Sequence, residues 1–326
     1  MTVLIRVKPS TLWDEISKQL GEQFPSAEII VSDTPDVSVQ VRVRALVSYG
    51  ETQESLERYP RLEALFVPMA GVNQFPLSYL HTRGIILSNA HSNGKFVAER
   101  AVALILGYFG RIVDFHQDLR NTEWHGFAIG EAVQKSWDSI FGMRVGILGI
   151  GSIGRWVARL LKPFDVQTTG FYRGGSDRDV SAFTSVTTDL VTAISDRQIV
   201  ISTLPLTDST RNLVGAEEFA HMNGALFVNV GRGEVVNQHA LYDALITGVL
   251  SGAAIDTWYI YPKPGSTKQE PAEVPLHTLK NVLLSPHLGG FTTKATRSSI
   301  DDVVRNLGLF LSTGTVDDVV NTERGY

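Results

Sequence analysis

Gly149, Gly151 and Gly154, in the run VGILGIGSIG over residues 145–154, have the types and spacing to hold a pyrophosphate. The first glycine allows a tight turn and the second lets the backbone approach phosphate oxygens. The third lets a helix pack on the preceding strand, while the amides near Ser152 and Ile153 face the anion. An apolar run precedes the glycines, and a helical pattern of Ile153, Val157, Leu160 and Leu161 follows them, the context a dinucleotide site requires. The next strand, Val166 to Phe171, should end in an acid that accepts from the ribose 2′-OH if the ligand is NAD. Tyr172 stands there instead, followed by Arg173, Gly174, Gly175, Ser176 and then Arg178. Such a basic, hydroxylated loop suits a 2′-phosphate through charge-assisted hydrogen bonds, so NADP (NADPH) is the preferred cofactor and NAD a possible one. As ordinary loop charges, Arg173 and Arg178 would be offset by Asp177 and Asp179.

The elements that must position this turn are short strands alternating with helices, the pattern of doubly wound parallel sheets in an α/β fold. Val3–Val7, Ala27–Val31, Ala45–Tyr49, Leu62–Val67 and Ile85–Ser88 form one strand series, with a helix over Ser10–Leu20. After a long apolar helix, Ala98–Phe109, a second series follows: the strand from Val145, then Val166–Phe171, Ile199–Thr203, Leu226–Val230, Gly252–Asp256 and Val282–Ser285. The proline-rich stretch Tyr261–Pro275 has linker composition inside the second series, and loops of that length in compact domains are usually functional. The chain has 326 residues, 43% hydrophobic and 19% charged, enough to bury two cores. It has no cysteine, which removes disulfides, thiolate metal sites and cysteine nucleophiles. A net charge of −5 argues against a nucleic-acid partner. No signal peptide or membrane span is apparent, so a cytoplasmic protein is expected. The remaining histidines show no HxxxH or HExxH spacing, so no metal site is expected.

The segments HSNGKFVAERA (91–101), GILGIGSIG (146–154), STLPLTDSTRNLV (202–214), FVNVGRGEVVN (227–237), AAIDTWYIYP (253–262) and NVLLSPHLGG (281–290) follow in the order and spacing of one family. Over most of its length the chain resembles the D-isomer-specific 2-hydroxyacid dehydrogenases. The resemblance implies a Rossmann cofactor domain over 93–290 and a flavodoxin-like substrate domain made of 1–92 and 291–326. It also implies a homodimer formed largely through the cofactor domains, with a small-molecule carboxylate bound between domains. By the same resemblance Arg232 grips that carboxylate and polarises the reacting carbonyl, a task suited to a guanidinium fork that keeps its charge. His287, between Pro286 and the pair Gly289 and Gly290, matches the acid/base histidine. Asp256 matches the residue that meets the nicotinamide amide, and Thr203, Leu204 and Pro205 the stretch under the adenosine. Val230, Gly231, Gly289 and Gly290 complete the implied cofactor contacts. Gly71 and Val72 match a loop whose backbone amides bind substrate carboxylate, and Asn93 a substrate asparagine of the formate branch.

One position departs from the family. An acid is expected five residues after Asp256, where it would hydrogen-bond the histidine and raise its pKa; Tyr261 is there. A phenol does not stabilise imidazolium as a carboxylate does, so His287 should hold its proton weakly unless Glu270 or Glu273 folds back from the long loop. The implied activity is hydride transfer between a nicotinamide and a 2-oxoacid or D-2-hydroxyacid. Two alternatives stay open: formate-type hydride transfer without proton transfer, and a non-catalytic cofactor-sensing protein of the corepressor type. Tyr49, Met69, Phe75 and Trp137 are available to shape the substrate pocket, and spacing does not say which points inward.

Overall fold

Short β-rich runs at regular spacing become parallel strands because the connections between them, most of them helical, are long enough to bring the chain back to the same end of the sheet. The computed structural model describes residues 1–132, 136–174 and 179–326. Two compact units result, one of Met1–Asn93 with Phe291–Tyr326, the other of Gly94–Gly290.

The first unit carries β1 (Thr2–Ile5), β2 (Glu28–Val31), β3 (Val43–Val47), β4 (Ala64–Val67) and β5 (Ile86–Asn89), all parallel in the order β2-β1-β3-β4-β5. Alternation along each strand feeds two cores. Val3, Ile5, Ala45, Val47, Ala64 and Phe66 face one side, where Trp13 and Ile16 of helix Thr11–Gln23 meet Ile300, Val303, Leu307 and Phe310 of helix Thr293–Thr313. Leu4, Leu46, Leu65 and Val67 face the other.

The second unit carries β6 (Arg144–Leu148), β7 (Gln167–Phe171), β8 (Ser185–Thr187), β9 (Ile199–Ser202), β10 (Leu226–Asn229), β11 (Gly252–Ile255) and β12 (Val282–Leu284). They are parallel in the order β12-β11-β10-β9-β6-β7-β8. The order reverses between β6 and β9, and a crevice at the carboxyl ends of those strands is where such a sheet takes a ligand. Val145, Ile147, Ile199, Ile201, Leu226 and Val228 pack against Val97, Ala101 and Ile105 of helix Gly94–Phe109, while Leu148, Val200 and Phe227 feed the opposite core.

The observed strands sit within a residue or two of the expected ones. β8, an edge strand of three residues, was not expected, and the Ser10–Leu20 helix runs on to Gln23. Among the described residues no helix is long and apolar enough to cross a membrane, and no cluster of His, Asp and Glu suits a metal ion.

Candidate active site

Because all seven strands of the second unit point the same way, the segments that follow them share one edge of the sheet. Gly149 leaves β6 with φ +102°, a conformation costly for a side chain, and a Cβ there would lie 2.8 Å from Thr203 Oγ1. Thr203 Oγ1 donates to the carbonyls of Leu148 and Gly149 at 3.0 and 3.1 Å, which ties the turn to the end of β9. A Cβ on Gly154 would overlap the Gly149 carbonyl, so the third glycine lets the helix sit on the turn. At Gly151 the same construction meets nothing within 4 Å, and helix Ser152–Leu161 begins there without a side-chain cap. A helix start without a side-chain cap fits a pyrophosphate.

Tyr172 follows β7 and donates its backbone N–H to Thr187 at 3.1 Å. The Arg173 guanidinium donates to Ser209 Oγ, so it bridges from the end of β7 to the loop after β9. Gly175, Ser176, Asp177 and Arg178, the rest of the expected phosphate loop, lie outside the described residues. Leu204 and Val230 are buried, whereas Pro205 is exposed and its carbonyl accepts from Thr210 Oγ1 at 2.7 Å.

Arg232 sits on a turn that only glycine neighbours permit. A Cβ on Gly231 would lie 2.5 Å from the Leu204 carbonyl oxygen, and one on Gly233 would overlap the Trp258 carbonyl. Asn229 braces the turn from within, its Nδ2 donating to the Arg232 carbonyl at 3.0 Å and its Oδ1 accepting from Gly231 N at 3.1 Å. Burial lowers the Arg232 pKa, and Tyr261 and Glu234 oppose that shift.

His287 has a left-handed backbone, φ +55°, and the residues on either side of it are tied to Asp256. Asp256 is almost fully buried. Its Oδ1 accepts from Ser285 Oγ and from Leu288 N at 3.0 Å, and its Oδ2 accepts from Gly289 N at 2.9 Å. Asp256 thereby clamps the ends of β11 and β12 together. Trp258 adds a second tie through its indole N–H, which donates to the Ser285 carbonyl at 2.8 Å.

The Tyr261 ring lies against the imidazole, with centroids 5.4 Å apart and planes at 45°. Its hydroxyl accepts from Trp258 N at 3.0 Å, and burial raises its pKa, so it stays a phenol. His287 is an exposed residue overall, yet desolvation of its ring lowers its pKa, and the Arg232 charge adds to the effect; Asp256 pulls the other way without prevailing. Neither loop carboxylate reaches it. Glu273 accepts from Gln238 Nε2 at 3.0 Å and pairs with His239, and Glu270 is exposed. The 259–275 segment is held in place instead, since the Pro271 carbonyl accepts from both Tyr259 N and Ile260 N and Ala272 enters the core.

Gly71, Val72 and Asn93 belong to the first unit. The Val72 side chain is in the core, which leaves only its backbone for a ligand, and Phe75 is likewise core rather than pocket lining. Met69 Sδ accepts from Gln74 Nε2 at 3.2 Å. Tyr49 and Trp137 are exposed. Sequence reasoning missed Glu234, Trp258 and Ser285. Glu234 had a signal, being an acid two residues past the key arginine.

The family model for the NAD binding domain of D-isomer specific 2-hydroxyacid dehydrogenases matches residues 102–289. Glyoxylate/hydroxypyruvate reductase B of Pectobacterium carotovorum is 28% identical over 329 residues, covering 97% of this chain and 99% of the relative. A glyoxylate/hydroxypyruvate reductase of Arabidopsis thaliana is 31% identical over 325 residues, covering 95% and 94%. Among solved structures, an NADPH-dependent glyoxylate/hydroxypyruvate reductase of Sinorhizobium meliloti, in complex with NADP and malonate, is 26% identical with a TM-score of 0.77, covering 99% and 97%.

Proposed function

Because the chain belongs to the D-isomer-specific 2-hydroxyacid dehydrogenase family, we propose that it reduces short 2-oxoacids of the glyoxylate and hydroxypyruvate class with NADPH, as a cytoplasmic homodimer. The observation that carries this reading is the single sheet edge that presents an uncapped helix start, Arg232 between two sterically required glycines, and His287 on a clamped loop. Bound NADPH supplies the hydride. Gly149, Gly151 and Gly154, with the amides of Ser152 and Ile153, hold its pyrophosphate, and Arg173 meets the 2′-phosphate. Arg232 pairs with the substrate carboxylate through two parallel donors and orients the carbonyl. His287 gives the carbonyl oxygen its proton, and Tyr261 packs against the imidazole and limits its freedom. In the first unit, Gly71 and Val72 offer backbone amides, and Asn93 its side-chain amide, as candidate donors to a carboxylate. Asp256 fixes where His287 stands.

Following NADPH oxidation over a panel of 2-oxoacids tests the assignment, with Arg232→Lys as the decisive variant. A point charge does not reproduce the fork, so kcat/KM should fall by about 100-fold or more while cofactor affinity stays within about threefold. Unchanged reduction by Arg232→Lys, or no reduction of any 2-oxoacid by the wild type, defeats the reading.

A further inference from the structure

A backbone amide serves an anion only if its peptide plane is turned toward it. In a trans peptide the N–H of one residue points away from the carbonyl of the residue before it, so whatever seizes a carbonyl aims the next amide. Along the loop after β4, successive carbonyls are seized from within the first unit. Ala90 N donates to the Met69 carbonyl at 3.2 Å, Asn89 Nδ2 to that of Ala70 at 2.6 Å, Gln74 Nε2 to that of Gly71 at 3.3 Å and Phe75 N to that of Val72 at 3.0 Å.

The side-chain donors in this series, Asn89 and Gln74, hold the peptides that carry the Gly71 and Val72 N–H groups. Neither N–H has an acceptor among the described residues. Asn89 is the last residue of β5 and only 4% exposed, so the sheet fixes it in place, and its bond is the shortest of the series. The carbonyl it meets also settles how its amide is turned, since only the nitrogen donates. Gln74 is exposed, and its nitrogen is shared with Met69 Sδ at 3.2 Å and the Tyr49 carbonyl at 3.5 Å, a looser hold.

On the reading of Gly71 and Val72 as carboxylate donors, we propose that Asn89 and, to a smaller extent, Gln74 are positioning residues for the substrate. Neither touches the carboxylate. Each turns one peptide so that its N–H faces away from the group holding the carbonyl, and the amides are aimed before the anion arrives. The grip of this loop on an anion therefore depends on a buried, uncharged asparagine.

Oxalate is the probe, titrated into protein that carries isotope-labelled glycine and is saturated with NADP+, with the Gly71 resonance identified through Gly71→Ala. In the wild type the Gly71 amide should move downfield as oxalate accepts from it. Gly21, in helix Thr11–Gln23, and Gly84, just before β5, belong to the same unit and should stay in place, which certifies the fold. Asn89→Leu removes the donor without adding a charge that repels the anion. It should weaken oxalate by about tenfold or more and abolish the Gly71 response, and Gln74→Met should weaken oxalate by about threefold. In steady state, KM for glyoxylate should rise by similar factors while kcat stays within about twofold, because the carboxylate is gripped equally before and during hydride transfer. A general loss of structure does not produce that split. If wild-type Gly71 responds to oxalate but Asn89→Leu, its Gly21 and Gly84 resonances unmoved, binds oxalate as tightly, the positioning role is overturned and the carboxylate reading of Gly71 and Val72 stands. Should those resonances move in Asn89→Leu, Gln74→Met at its exposed position decides by the same criterion. Oxalate that fails to bind the wild type, or binds without moving Gly71, overturns that reading and the proposal together.

Discussion

His287 combines a left-handed backbone with a weakened hold on its proton, and both follow from its neighbours. Its depressed pKa means that the imidazolium needed for ketone reduction is already lost as pH rises through a value below the ordinary one of about 6.5. Reduction of glyoxylate should therefore increase as pH is lowered from about 8 to about 6, and Tyr261→Glu should shift the midpoint upward by about a unit, because a carboxylate within reach favours the charged ring. A profile flat through that range, with solvent isotope effects showing proton transfer to be limiting, contradicts this. At the adenosine end, NADPH should bind about tenfold tighter than NADH or better, and Arg173→Ala should remove most of the difference, roughly 1–3 kcal/mol. Equal dissociation constants in the wild type sink that expectation. The glycines and Arg232 were legible in the sequence because their requirement is local: a positive φ, an overlap with a carbonyl, a turn of fixed length. The use of Asp256 as a clamp was not, since it depends on how closely the ends of β11 and β12 approach.

At the scale of elements, the alternation of apolar runs and helical stretches made the parallel sheets readable, and Gly and Pro marked most boundaries. β8 escaped because three residues at a sheet edge carry little pattern. The 261–275 stretch read as a linker, yet two donors converge on the Pro271 carbonyl and pin it, an arrangement no composition encodes. Three hydrogen bonds from the loop after β12 end on one carboxylate, which offers a sharp test. Asp256→Ala leaves Ser285 Oγ, Leu288 N and Gly289 N without their acceptor. At about 1–3 kcal/mol for each of the two buried groups left unpaired, Ser285 Oγ and Gly289 N, the Gly94–Gly290 unit should lose about 2 kcal/mol or more, visible as a lower midpoint in denaturant. Activity should fall with it as His287 leaves its conformation. A variant as stable as the wild type shows that the loop is held by other means.

On the whole molecule, apolar side chains crowd the surface of one segment of the second unit. Ile112, Val113, Trp124, Phe127, Ile129 and Phe141 are all exposed, Phe127 at 88%. A monomer rarely leaves such a run in water, and it supports the homodimer we propose. Replacing Trp124 and Phe127 together by Glu should convert the dimer to monomer in sedimentation experiments, and a wild-type monomer at micromolar concentration would remove the interface. The two-unit organisation also bears on how the chain is made. Helix Thr293–Thr313 supplies Ile300, Val303, Leu307 and Phe310 to a core whose other half, with Trp13 and Phe66, was synthesised before residue 94. On the ribosome, the first unit to begin is therefore the last to finish. Its sheet must wait, with one apolar face covered only in part by helix Thr11–Gln23, while the whole of residues 94–290 is translated and folds, and at about 5–20 residues per second that wait lasts many seconds. A nascent chain in that interval is a natural client for a chaperone, and a stall just short of the last helix should leave a folded nucleotide-binding unit tethered to an unfinished, aggregation-prone partner.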